Sequence, residues 1–228
     1  MIPHLYVHYG FNLTDSIPLS APQHHYLSKV MRLKSHDVVH IFNGNQGLWR
    51  AHLDGMTLIK ACPLGPQPPQ PPTTALFFSP IKAQNWLIEK AVELGVTDFF
   101  PILCRRTTVR HFCPKRHMKI VHEACEQSRR WTIPTIHPIM PLTTYVSPST
   151  PQGCDFFACV LMLDAAMPMS QMNPMARGFF VGPEGGWSPE EVALFAQNPH
   201  ITPVHLGSAV LRAETAALVA STLILHAH

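Results

Sequence analysis

Two glycine-containing words near the C-terminal end hold the residue types best suited to chemistry: Val181-Gly-Pro-Glu-Gly-Gly-Trp-Ser-Pro-Glu-Glu191 and Leu206-Gly-Ser-Ala-Val-Leu-Arg-Ala-Glu-Thr-Ala216. Three glycines within five residues free the backbone to take positive φ angles and leave main-chain N–H and C=O groups open to a flat ligand. Gly182, Pro183, Glu184 and Gly185 in the first word, with Leu206, Gly207, Ser208, Val210 and Leu211 in the second, are therefore candidate ligand positions. Arg212, Glu184, Glu214 and His205 are the ionisable groups nearest these loops. An arginine there can stabilise a developing anion, and a carboxylate or imidazole can accept a proton. Glu214 also suits the dipole at the start of an apolar helix, and the sequence does not choose the base.

The flanking residues say which elements must position these groups. Phe179-Phe180-Val181 is a short apolar run that stops at the glycines, the pattern of a buried strand. Ser188-Pro189-Glu190-Glu191 then spells a helix start, with Ser188 as N-cap and Glu191 closing a capping box. The grammar repeats: residues 203–206 read as a strand, Gly207-Ser208 as its turn, and residues 214–226 as an almost wholly apolar helix. Each loop alone is an ordinary β-to-α turn. In an open α/β sheet, however, ligands bind beyond the carboxyl ends of the strands, so the two loops can wall one site.

Upstream, residues 75–79, 84–94 and 96–103 read as a βαβ unit with Gly95 ending the helix. A helix is expected over 114–130 and an apolar strand over 156–163. The first 62 residues are β-rich. Ser20-Ala-Pro-Gln23 can cap a short helix with Leu27, Val30 and Met31 on one face. Strands follow at 38–42, 48–53 and 57–61, the first two joined through Asn43-Gly44. Residues 63–72 contain six prolines in ten positions, an extended spacer that divides the chain into domains 1–72 and 73–228.

Composition narrows the function classes. With 46% hydrophobic and 14% charged residues in 228, the chain can bury a sizeable core. No apolar run reaches eighteen residues and the N-terminus lacks a signal-peptide pattern, so a cytoplasmic location is expected. Six scattered cysteines without a C-x-x-C pair argue for reduced thiols. His111, Cys113, His117, His122 and Cys125 invite a metal reading, but only His122 and Cys125 share a helical face, and no metal is expected. Phosphate-loop, dinucleotide-fold and nucleophile-elbow motifs are absent. Between 105 and 130, eight Lys and Arg oppose two Glu, a patch that fits either RNA phosphates or a solvated helix face.

Taken together, the two C-terminal words closely resemble the signature of the ribosomal RNA small subunit methyltransferase E family, of the SPOUT class. Trp86-Leu-Ile-Glu-Lys-Ala-Val-Glu-Leu-Gly-Val96, Arg106-Thr107 and Glu123-Ala-Cys-Glu-Gln-Ser-Arg129 extend the match. His24-His-Tyr-Leu-Ser-Lys-Val-Met-Arg32 and His36-Asp-Val-Val-His-Ile-Phe-Asn-Gly44 resemble the family's PUA-like RNA-binding domain. Three positions depart from the pattern: His36 replaces a usual glycine, Arg105 a usual glutamate and Ala209 a usual arginine.

The resemblance implies an α/β fold in which a small PUA-like β-barrel precedes a SPOUT methyltransferase domain with a trefoil knot. It implies S-adenosylmethionine (SAM) as cofactor, held by loops at Leu163, Gly182 to Gly185 and Leu206 to Leu211. The acceptor would be N3 of a uridine in 16S ribosomal RNA, with Arg212, Glu184 and Glu214 as the catalytic candidates and Arg212 stabilising the N3 anion. RNA contacts are expected from His25, Lys29, Arg32, Arg106, Arg110 and Arg129. Partners would be the small-subunit RNA and a second copy of the chain, with neither DNA nor a membrane among them. A non-catalytic RNA-binding protein of the same fold is the second reading.

Overall fold

Alternation of apolar and polar residues in the N-terminal part produces strands with one buried face. The structure, a computed structural model, describes residues 2–11, 16–146, 158–162 and 164–226. Strands β1 (His4–Tyr6), β2 (Ser16–Pro18), β3 (Val38–Phe42), β4 (Leu48–Asp54) and β5 (Thr57–Gly65) form a five-stranded sheet in the order β1-β3-β4-β5-β2. Leu5, Phe11, Ile17, Leu27, Ile41 and Leu58 fill its core. Helix α1 (Ala21–His25) begins with the expected capping box between Ser20 and Gln23. It then loosens into one π-helical turn, Tyr26–Val30, in which Met31 N–H donates to the Tyr26 carbonyl. The wider turn rotates the expected apolar face: Leu27 is fully buried but Val30 is 60% exposed.

β5 runs beyond the expected strand, so Pro63, Leu64 and Gly65 of the proline-rich stretch belong to the sheet, with Trp49 opposite Pro63. By proximity of its residues the chain divides into one unit of Met1–Gln70 with His122–Ile133 and another of Pro71–Val121 with Pro134–His228.

The second unit is built on a parallel sheet, as its unbroken apolar runs require. Its strands are β6 (Ala75–Phe78), β7 (Asp98–Leu103), β8 (Thr135–Ile136), β9 (Met140–Pro141), β10 (Ala158–Leu161), β11 (Gly178–Val181) and β12 (Ile201–Val204). Their order is β12-β10-β11-β6-β7-β8, with β9 pairing on β7 as well. Every residue of β6 and β11 is buried. Phe77 on β6 stacks on Phe100 of β7 at 4.5 Å and on Phe180 of β11 at 4.3 Å.

The helices are α2 (Gln84–Leu94), α3 (Pro114–Ser128), α4 (Thr143–Val146), α5 (Pro189–Gln197) and α6 (Ala213–His226). α2 ends at Gly95, whose φ of 110° is the left-handed cap expected there. The last strand lies two residues earlier than the pattern suggested, at Ile201–Val204. β12 is an edge strand, and an edge tolerates Pro203, which lacks an N–H. Among the described residues no helix is long and apolar enough to cross a membrane.

Candidate functional site

The first glycine word leaves β11 at Val181 and folds into a tight loop before α5. The Gly186 N–H donates to the Pro183 carbonyl at 2.8 Å, and Gly186 takes a φ of 72°, a conformation that favours glycine. Gly182 is glycine for a different reason. A Cβ there would stand 3.0 to 3.2 Å from the indole of Trp187, which folds back over it. The Trp187 Nε1–H donates to the Leu161 carbonyl at 2.9 Å, tying this loop to the end of β10.

α5 begins with the capping box the sequence implied. The Glu191 N–H donates to Ser188 Oγ at 3.3 Å, and the Ser188 N–H to Glu191 Oε2 at 2.7 Å. The other oxygen of Glu191 accepts the N–H of Arg105 at 2.8 Å, which fastens the turn after β7 to the same helix start. That turn is stitched from within. The Cys104 N–H donates to Thr107 Oγ1 at 2.8 Å, and the hydroxyls of Thr107 and Ser79 share a buried hydrogen bond of 2.8 Å. Burial, with the Glu191 charge second, pushes the Cys104 thiol up to about 12, so it is no nucleophile at neutral pH. Arg106 extends from this turn and donates to the carbonyls of Gly185 at 2.8 Å and Trp187 at 3.1 Å. Arg105 finds a partner in exposed Glu190 at 3.2 Å.

The second word leaves β12 through Gly207, whose φ is 121° and whose N–H donates to His205 Nδ1 at 3.1 Å. His205 also bonds through its main chain to residues 167 and 169, each at 2.9 Å.

Beyond the carboxyl ends of β6, β10, β11 and β12 lies a cleft of about 990 Å³. Of the expected ligand positions, Gly182, Pro183, Glu184, Val210 and Leu211 line it, as do the catalytic candidates Arg212 and Glu214. Gly185, Leu206, Gly207 and Ser208 shape the two loops without lining it, and Leu163 lies outside the described residues. Met162, Asp164 and Ala165 supply the wall from β10.

Sequence reasoning missed Ile81, Lys82 and Ala83, which add a fourth wall just past the end of β6. The strand-end rule applied to β6 would have found them. Lys82, Asp164, Glu184, Arg212 and Glu214 thus meet around one cleft, and among the described residues none of them makes an ion pair within the chain. Two cations and three carboxylates left to a ligand suit a molecule with charges of both signs. The volume falls within the range of about 300 to 1,000 Å³ usual for small-molecule sites.

The expected RNA contacts divide by unit. His25, Lys29, Arg32 and Arg129 are exposed in the first, and Arg110 is exposed in the second. Arg129 lies close enough to His4 and His40 for its charge to hold both imidazoles below their usual range, after burial and their other charged neighbours. Arg106 is the exception, because its guanidinium is engaged by the glycine loop. Among the described residues no group of three or more His, Cys, Asp or Glu could hold a metal ion.

Comparison with known proteins places this geometry in a family. The family model described as an RNA methyltransferase domain matches residues 68–225, and that described as an RNA methyltransferase PUA domain matches residues 19–59. The chain is 32% identical to the ribosomal RNA small subunit methyltransferase E of Synechocystis over 216 residues, covering 90% of this chain and 71% of that protein. It is 29% identical to the Rickettsia conorii protein of the same name, covering 95% and 92%. The crystal structure of the Neisseria gonorrhoeae ribosomal RNA small subunit methyltransferase E bound to S-adenosylmethionine superposes with a TM-score of 0.82 at 25% identity, covering 97% of this chain and 95% of that one. The chain belongs to the ribosomal RNA small subunit methyltransferase E family.

Proposed function

We propose that this protein methylates N3 of a uridine in 16S ribosomal RNA, using SAM as methyl donor. What carries the reading is the cleft at the strand ends, walled by Gly182 to Glu184 and by Val210 to Glu214, whose charges make no ion pair among the described residues. Glycine main chain suits a flat adenine ring, and cations and carboxylates suit a ligand that bears an amino group, a carboxylate and a sulfonium. When bound, SAM supplies an electrophilic methyl group on that sulfonium.

The chain's own residues must then align and deprotonate. N3 of uracil carries an imide proton and is a poor nucleophile until the proton leaves. A cation beside the uracil carbonyls favours the N3 anion, and in this reading Arg212, which lines the cleft just before α6, supplies it. Glu184 and Glu214 are the carboxylates able to take the proton. The loops at Gly182 to Glu184 and Val210 to Leu211 would hold SAM, whose methyl group would pass to N3 with S-adenosylhomocysteine as the second product. Alignment by the loops contributes much of the rate.

In this reading residues 1–72 form the RNA-binding domain and residues 73–228 the methyltransferase domain, at work in the cytoplasm. The C-terminal chain threads a knot, a proposal that rests on the family resemblance alone. The working unit is a homodimer. Support comes from α6, whose Val219 remains 37% exposed on an almost wholly apolar helix. Light scattering of an active preparation is expected to give the mass of two chains, and a mass near one chain would refute the dimer.

The direct experiment adds radiolabelled SAM to small ribosomal subunits from a strain that lacks this methylation. Label is expected at N3 of one 16S uridine. SAM binding without transfer would favour the RNA-binding reading instead.

A further inference from the structure

We propose that Arg106 is the positioning residue of the glycine loop: it sets affinity for SAM by holding Gly185 and Trp187 in place, rather than by contacting RNA. The proposal rests on the assignment of the cleft as a SAM site. Four observations carry it.

The first is the hydrogen bonding. One guanidinium nitrogen, Nη1, donates to the carbonyls on either side of Gly186, at 2.8 and 3.1 Å. A charged donor shared by two carbonyls is stronger than a neutral one, and it fixes the direction in which the intervening peptide units point.

Secondly, the loop needs such a clamp. Gly185-Gly186 is a dipeptide with no side chain to anchor it, and its conformational freedom would otherwise be lost when a ligand binds. Fixing it beforehand transfers that entropic penalty to folding and leaves a tighter site.

The root of the arginine is itself immobile. Thr107 Oγ1 receives the Cys104 N–H and pairs with the Ser79 hydroxyl, while the Arg105 N–H is held by Glu191. The side chain therefore projects from a turn bonded both to the end of β6 and to the start of α5, so a rigid frame aims it.

Space provides the fourth observation. A Cβ on Gly185 would lie 3.3 Å from Arg106 Cβ and 3.4 Å from Cδ. Gly185 does not take the left-handed conformation that demands glycine elsewhere in the loop; its lack of a side chain makes room for the arginine stem. Loop and arginine are matched to each other. Nη1 is committed to the loop, so an RNA phosphate could meet only the Nη2 and Nε edge of a guanidinium already fixed in place.

Calorimetry with SAM and no RNA tests this on the full chain. Wild-type protein must bind first, since failure there would sink the SAM assignment and not the clamp alone. Arg106→Ala is expected to weaken SAM about tenfold, the scale of one charge-assisted hydrogen bond at an exposed site. Its KM for ribosomal subunits should stay within about twofold of wild type, which separates an effect on the cofactor from a lost RNA contact. Arg106→Lys should restore part of the affinity, because an ammonium can still donate to a carbonyl. Gly185→Ala should weaken SAM as well, and the double variant should lose less than the two single losses combined. The proposal is overturned if Arg106→Ala binds SAM like wild type, whether or not its Tm falls. It is equally overturned if the main effect is a raised KM for subunits with a shallower salt dependence, or if the two substitutions are fully additive.

Discussion

The indole N–H of Trp187 donates to the Leu161 carbonyl at 2.9 Å while its ring covers Gly182, so one side chain joins the ends of β10 and β11. Trp187→Phe keeps an aromatic ring beside Gly182 while removing the bond and the second ring of the indole. A neutral hydrogen bond is worth about 0.5–1.5 kcal/mol net, so SAM affinity should fall about two- to twelvefold. Trp187→Ala, which also uncovers the glycine, should cost more than Trp187→Phe. Calorimetry on the two variants measures both steps.

Arg212→Ala should damage catalysis far more than cofactor binding. Removing a group that stabilises charge developing in the acceptor costs about 10²- to 10³-fold in kcat. SAM affinity should change by less than about threefold, because Arg212 is exposed and makes no ion pair with the loop. Parallel losses in kcat and affinity would instead make Arg212 an anchor of the loop. Single-turnover rates beside binding isotherms separate the roles.

The N-terminal unit should show a bell-shaped dependence of stability on pH. Burial, opposed by the Tyr6 N–H and reinforced by Glu123, pushes the Glu126 carboxyl up to about 7. The folded state therefore holds this proton more tightly, and the associated stability is present below pH 4.5 and lost as pH rises through about 7. His4 and His122 behave in the opposite way. Burial first, then His40 and Arg129 for His4 and His8 for His122, lowers each to about 4. Their stability is present above 6.5 and lost as pH falls through about 4. Two histidines outweigh one carboxylate on the acid side, so Tm should climb from pH 4 towards 6.5 and then decline slightly. Glu126→Gln, which keeps an acceptor for Tyr6, should remove the decline. His122→Phe, which keeps the ring stacked on Tyr6 at 3.7 Å in the parent, should flatten the acid limb.

His36 offers a backbone test. It sits at a φ of 72°, a region costly for a residue with a Cβ. Its N–H and C=O are nonetheless used, by Leu53 at 2.7 Å and His52 at 3.0 Å, so the strained conformation is held from both sides. His36→Gly should stabilise by about 0.5 kcal/mol, the relieved strain being partly offset by the freedom of glycine in the unfolded chain. His36→Val, β-branched at a positive φ, should destabilise by about 1–2 kcal/mol. Denaturant midpoints at constant slope would report both.

Much of the candidate site was legible because its signals are local. Ser188 and Glu191 announce a capping box within four residues, and Gly182 to Gly186 mark the loop before it. What the sequence hid depends on residues far apart. Arg106 meets the Gly185 carbonyl across 79 positions, a contact that no local pattern announces. Lys82 carries no motif and gains meaning only from the end of β6 beside β11. The shortest strands, β1 and β2 with three residues each and β8 and β9 with two, offer too few residues for alternation to register. The exposure of Val30 follows from a π-turn that no helical periodicity anticipates.

The rings of Phe100, Phe77 and Phe180 stack across three neighbouring strands, with Phe77 directly opposite each of the other two in register. A parallel sheet has no tight hairpin to align its strands, and about a hundred residues separate Phe77 from Phe180. Slippage by a single residue would turn each ring to the opposite face and dismantle the column at once. The three phenylalanines thus act as a key that only one alignment turns. Because the glycine loop leaves its strand immediately after Phe180 and Val181, the same key fixes how far that loop protrudes. Fidelity of strand alignment during folding therefore becomes accuracy of the mouth of the cleft, decided before any ligand arrives.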